Sequence, residues 1–129
     1  MIVKYNVVER GNPSDPSAPK KYYPSALASG SVDLRGMAEK AVSISTLSEA
    51  DTVAVVDTFL KLIPDELRRG NVVQLGDFGS FWVKFKTEAS TRPEEVNANN
   101  ITGILVRFIP GKEFKARLKD FSFEKNKDD

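Results

Sequence analysis

Cysteine and histidine are both absent from the chain. Without cysteine there are no disulfide staples, and without either residue a zinc site built on thiolate and imidazole ligands is excluded. Haem ligation through those side chains, a Ser-His-Asp triad and a Cys-His dyad are excluded with them. Chemistry is left to carboxylates, lysine, tyrosine or a Ser-Lys pair, and no spacing of those residues singles out a nucleophile. Long apolar runs are also missing: the longest are about four residues, such as Val53 to Val56, so no membrane span is expected. MIVKYNVVERGN lacks the basic region followed by an apolar stretch that a signal peptide requires. A cytoplasmic protein that is not an enzyme and carries no cofactor, metal or small-molecule substrate is therefore the expectation.

What is present is the balance of an ordinary globular domain: 129 residues, 40% hydrophobic and 29% charged, with 19 Lys and Arg against 18 Asp and Glu. A net charge of +1 leaves no basic surface over the whole molecule, but the charge is unevenly placed. From Trp82 to Lys119 there are eight Lys or Arg against four Glu, a local +4, which leaves −3 for the remainder. Such clustering favours a local basic face. The competing reading is an ordinary solvated surface.

Residues 2–9, IVKYNVVE, are β-branched and aromatic and predict an edge strand. Four prolines between 13 and 24 predict a loop that ends in Lys20, Lys21, Tyr22 and Tyr23; the tyrosine pair packs a strand end or stacks on bases. A short helix follows Asp33, with Leu34, Met37, Ala38 and Ala41 at helical spacing, and ends near Ser43 or Ile44. Ser48, with Asp51 three residues on, opens a second helix. In it Val53, Val56, Leu60, Ile63 and Leu67 trace one face, and Val55, Phe59 and Leu62 trace a neighbouring one. So wide an apolar arc needs cover on two sides, and in a small protein a second subunit supplies it. Pro64 predicts a kink or restart, and Gly70 a C-terminal stop after Arg68 and Arg69.

From Asn71 the period changes to two. Residues 72–75 (VVQL) and 80–86 (SFWVKFK) read as strands around the turn Gly76-Asp77-Phe78-Gly79. Phe81, Val83 and Phe85 share one face of the second strand, and Trp82, Lys84 and Lys86 the other. TEASTRPEEVNANN (87–100) is polar and aperiodic, and ITGILVRFI (101–109) is a third strand ended by Pro110-Gly111. KEFKARLKDF (112–121) predicts a last helix with Phe114, Leu118 and Phe121 on its inner face, before a polar, frayed tail. Asp77-Phe78-Gly79 matches a kinase metal-binding tripeptide by chance, since no glycine-rich or catalytic loop accompanies it. The paired carboxylates Glu94-Glu95 and Asp128-Asp129 read as solvated charge.

The chain is thus α+β. Three stretches in order carry a resemblance: DLRGMAEKAV with LSEADTVAVVDTFLKLIPDELRRG, then NVVQLGDFGSFWV, then VRFIPGKEFKARL. Together they resemble the histone-like HU and integration host factor family of bacterial DNA-binding proteins, from about Val32 to Phe121. The resemblance implies an HU-like fold: an N-terminal helix pair, a three-stranded antiparallel sheet with an extended β-arm and a short C-terminal helix. Residues 1–31 add a strand and loop that the basic family lacks, and 122–129 form the tail. It further implies an intertwined dimer, homo- or heteromeric, with Val56, Phe59, Leu60, Ile63, Phe78 and Phe81 in its core. The implied partner is double-stranded DNA, which makes the protein nucleoid-associated; it is embraced along the minor groove and bent, largely without sequence preference, through Lys84, Lys86, Arg92, Pro93, Arg107, Lys112 and Lys115. Arg92-Pro93 stands about where the family's intercalating Arg-Asn-Pro tip falls, but without the asparagine and among Glu88, Glu94 and Glu95. It reads either as an intercalating tip or as an ordinary turn. Those carboxylates motivate a second expectation, an HU-like dimer turned to protein interaction with weakened DNA binding.

Overall fold

The computed structural model describes residues 1–127. Two compact units emerge: Leu34–Arg117, and Met1–Asp33 together with the chain from Leu118 onward. The second of these departs from the expected division at residues 31 and 121, because the C-terminal segment joins the N-terminal one.

In that unit β1 (Ile2–Arg10) lies between β2 (Lys21–Leu27) and β6 (Ser122–Lys125). It is antiparallel to β2 and parallel to β6. β1 is therefore the central strand, not the expected edge strand. The second half of the expected loop is also strand: Tyr22, Tyr23 and Pro24 lie in β2, an edge strand, where a missing N–H need not interrupt a ladder. The expected frayed tail is corrected for Ser122–Lys125. Ser122 N donates to Met1 O (2.9 Å), and Asn126 donates through its backbone N to Tyr5 O (2.9 Å) and through Nδ2 to Asn6 Oδ1 (3.1 Å). Asp128 and Asp129 lie outside the described residues.

The larger unit opens with α1 (Leu34–Ile44) and α2 (Glu49–Arg68). Ser48 caps α2 as expected, its Oγ accepting from Asp51 N at 3.1 Å. The helix runs unbroken through Pro64, so the expected restart there does not occur, and it stops at the expected place. Gly70 (φ +86°) follows the cap Arg69, and Asn71 N reaches back to Glu66 O (3.1 Å), a Schellman ending. β3 keeps only Val73–Gln74 of the expected 72–75, because Gly76–Phe78 winds into a 3-10 turn. β4 (Gly79–Thr87) and β5 (Ile101–Pro110) complete an antiparallel sheet in the order β3-β4-β5.

α3 spans Lys112–Arg117, shorter than the expected 112–121. Phe114 packs as expected, but Leu118 and Phe121 fall beyond the helix and are exposed. The chain turns away there, with Asp120 at φ +66°, and goes on to pair with β1.

Packing inside the larger unit centres on four rings. Phe78, Phe81, Phe108 and Phe114 contact one another at centroid separations from 4.7 to 5.9 Å, mostly tilted or edge-on. Gly111 N donates to Phe78 O (2.8 Å), which ties the start of α3 to the turn before β4. Apart from this cluster the unit is open. Ala38, 2% exposed, is the buried hydrophobic side chain among the described residues, and Thr52 is the buried polar one. The full fold class expected from sequence is present: helix pair, three-stranded antiparallel sheet and short last helix.

Candidate nucleic-acid interface

Alternation along β4 and β5 sorts their side chains onto two faces, and the register decides which residues meet. Trp82 pairs with Arg107, Lys84 with Leu105 and Lys86 with Gly103. Directly paired residues project to the same side of a sheet. Lys84, Lys86 and Arg107 therefore share one face, beside Trp82 and Leu105. All three cations are exposed. The reverse face carries Phe81, Val83 and Phe85 against Phe108, Val106 and Ile104. It is apolar from end to end, yet Phe85, Val106 and Ile104 are mostly exposed.

A second cationic pair sits beyond the base of this hairpin. Lys112 and Lys115 are three apart on α3, hence on one side of it. Phe114 anchors that helix to the ring cluster, and Lys115 N donates to Gly111 O (3.0 Å). Arg117 is partly neutralised by Glu113, 3.5 Å away. Trp82 is half-buried and borders a groove of about 510 Å³ with Leu67 and Arg68 at the end of α2.

Beyond Thr87 the arm does not continue as two extended strands. Pro93–Glu95 and Ala98–Asn100 form 3-10 turns, and Asn100 latches the tip together. Its Nδ2 donates to Glu88 O and to Ser90 Oγ, both at 2.8 Å, while its Oδ1 accepts from Asn97 N at 2.9 Å. Arg92 is extended and Pro93 occupies the first position of its turn, where a missing N–H costs nothing. Glu94 and Glu95 follow within that turn, and Glu95 faces Thr91 at 3.4 Å. The structure thus groups Lys84, Lys86 and Arg107, places Lys112 and Lys115 at the hairpin base, and sets Arg92 and Pro93 apart in the folded tip.

The expected dimer-core residues divide as well. Phe78 and Phe81 belong to the ring cluster within one chain, although Phe78 remains half exposed. Val56 and Ile63 are half-buried, whereas Phe59 (48% exposed) and Leu60 (52%) lie open on α2. Sequence reasoning missed the latch of Asn100, for which the NANN run before β5 was a faint signal. It also missed the role of Phe108, which meets Phe78, Phe81 and Phe114, in fixing the hairpin base. Among the described residues no group of three carboxylates could hold a metal ion, and no helix is long and apolar enough to cross a membrane.

Comparison with known proteins identifies the family and the fold. A family model described as "HU domain fused to wHTH, Ig, or Glycine-rich motif" matches residues 1–125, so the match takes in β1 and β2. The chain is 32% identical over 81 residues to an integration host factor subunit alpha of Aliivibrio salmonicida, across 61% of this chain and 83% of that one. It is 30% identical over 97 residues to the same subunit of a Marinomonas species, across 74% and 99%. A crystal structure described as that of a putative bacterial DNA-binding protein from Bacteroides vulgatus shares the fold, with a TM-score of 0.66 at 14% identity. That alignment covers 96% of this chain and 47% of the other, so the chain spans about half the length of that protein. With the helix pair, the ring-anchored hairpin and the glycine-lysine start of α3 all in place, the chain belongs to the HU-domain family so described.

Proposed function

We propose that this chain is an architectural DNA-binding protein that acts as an intertwined dimer and bends the duplex it holds. One observation carries the reading: Lys84, Lys86 and Arg107 stand together on one face of β4 and β5, beside Trp82 and Leu105, while the other face carries no charge between Phe81 and Phe85 or between Ile104 and Phe108. Cations in a row on a stiff sheet neutralise phosphates without reading bases, so affinity comes from counterion release and falls steeply with salt. Lys112 and Lys115 extend the contact at the hairpin base. At the tip, Pro93 is the apolar residue that wedges a base step open, with Arg92 on the adjacent phosphate. Preference among sites then follows how easily each bends.

Packing supports the dimer. With one buried hydrophobic side chain among the described residues, the chain has too little core to stand alone. The exposed stripe of Val55, Phe59 and Leu62 on α2 is the surface a partner copy covers, whether identical or related.

The folded, acidic tip supports a second reading, in which the dimer is kept and DNA affinity is reduced in favour of protein contact. Glu88, Glu94 and Glu95 surround Arg92-Pro93 and oppose a phosphate backbone. Titration of a plain and a nicked duplex by fluorescence anisotropy, at about 50 and 200 mM salt, separates the two. The architectural reading expects tighter binding to the nicked duplex and a loss of affinity with salt, which Lys84→Gln and Arg107→Gln each reduce. Absence of binding at tens of micromolar protein and about 50 mM salt overturns it, because even non-specific affinities of such proteins fall at roughly 10⁻⁴–10⁻⁶ M.

A further inference from the structure

The N-terminal sheet also sorts its side chains by face. Val3, Tyr5 and Val7 of β1 share one side with Ala26, Pro24 and Phe123. The other side carries Val8 paired with Tyr23, and Arg10 paired with Lys21. Arg10 and Lys21 are thus like charges directly opposite each other on adjacent strands, an arrangement that is unfavourable on its own. Arg10 is held there by the Tyr23 ring, its guanidinium carbon 6.0 Å from the centroid.

The carboxylates of this region point elsewhere. Glu9 pairs with Tyr22 on the reverse face. Asp15 Oδ1 accepts from Ser17 Oγ (2.7 Å) and Ser17 N (3.2 Å) within the loop. The loop itself is braced: Asp15 N donates to Asn12 O and Ala18 N to Asp15 O, both at 3.1 Å, and Ser14 N donates to Asn12 Oδ1 at 2.9 Å. Between this loop and the strand ends lies a pocket of about 440 Å³, bordered by Arg10, Asn12, Lys21 and Tyr23. Among the described residues neither Arg10 nor Lys21 has a salt bridge.

We propose that this pocket is a second anion site, in which Arg10 and Lys21 hold one phosphodiester of duplex DNA. The proposal rests on the DNA-binding reading above. A braced loop, two neighbouring cations and no competing carboxylate suit a singly charged oxyanion. Arg10 supplies directed N–H donors to it, and Lys21 a mobile point charge.

The test is the salt dependence of duplex binding by the full chain. Each neutralised phosphate contributes about 0.9 to the slope of log K against log salt. Arg10→Gln/Lys21→Gln is therefore expected to make the slope shallower by about 0.9, a roughly three- to fourfold smaller loss of affinity between 50 and 200 mM. Lys4→Gln/Lys125→Gln removes the same charge from the same sheet away from the pocket, and is expected to leave the slope unchanged. Titration with inorganic phosphate, followed by amide NMR, is expected to shift Arg10, Gly11, Asn12 and Lys21 in the parent and not in the double variant. Equal slopes for the parent and both variants overturn the pocket while DNA binding stands. Equal shallowing by both variants overturns it too, as a general charge effect. A parent chain that binds no DNA overturns the underlying reading, and the pocket's role with it.

Discussion

Phe59 tests the proposed dimer directly, because its ring is half covered within one chain and the proposed partner copy would cover the remainder. A phenylalanine side chain buries about 150–250 Å² when fully enclosed. With Phe59 at 48% exposure, roughly 100 Å² is left for the partner to cover. At about 25 cal/mol per Å² that is ~2.5 kcal/mol for each ring. Two rings in a symmetric dimer give about 5 kcal/mol of association energy, more than a thousandfold in Kd. Phe59→Ala is therefore expected to weaken dimerisation by about three orders of magnitude. A monomer already wetting half of that ring loses less of its own stability than the usual 3–5 kcal/mol for a core Phe. Sedimentation velocity over a dilution series measures the first quantity, and the dependence of Tm on protein concentration checks it. A change in Kd of less than tenfold, or a parent chain that is monomeric at tens of micromolar, refutes the reasoning.

Gly79 stands at φ +147°, and a Cβ there would meet the Ile109 carbonyl and lie 2.6 Å from the Phe108 ring, so Gly79→Ala combines backbone strain with overpacking. The expected cost is about 2–5 kcal/mol in urea unfolding, and an unchanged midpoint contradicts it. Asn100→Ala removes three side-chain hydrogen bonds at the arm tip, with a net local loss of about 2 kcal/mol. Hydrogen exchange at Glu88 and Val96, whose own acceptors are backbone carbonyls, is expected to accelerate more than tenfold, and unchanged protection excludes the latch.

The parts of the fold that were legible in the sequence are those set by local rules. Ser48 and Gly70 bracket α2 because capping geometry depends on the nearest few residues. The two faces of β4 follow from a period of two. What escaped depends on distant pairing. β6 is a short polar segment whose only reason to be extended is β1, some 120 residues away in sequence, and no local pattern announces that. Pro24 argued against a strand, and the tertiary environment overrode it by placing that strand at an edge. α3 ends at Arg117 although Leu118 and Phe121 keep helical spacing, because the following residues leave to pair with β1. In the candidate site, the cations on β4 were readable by alternation, but their grouping with Arg107 needed the register.

That register is also what keeps the two uses of the hairpin apart. An apolar face seeks protein and a cationic face seeks phosphate, so a slip of one residue between β4 and β5 would mix them. The pairing is uninterrupted from Gly79 to Lys86, and this stretch contains Lys84, Lys86 and every residue facing them. The irregularity falls just beyond, where Thr87 pairs with Ile101 and Thr102 is the extra residue. Unbroken alternation would put Ile101 on the side of Gly103, Leu105 and Arg107, with the cations. The bulge instead places it opposite Thr87, on the side of Phe85 and Ile104. It therefore extends the apolar face by one residue without intruding on the cationic one, and it marks the point where the strands give way to the Asn100-latched tip. A bulge nearer the base would invert the faces along most of the hairpin. At its distal end it re-aims a single side chain and leaves the spacing of Lys84, Lys86 and Arg107 intact.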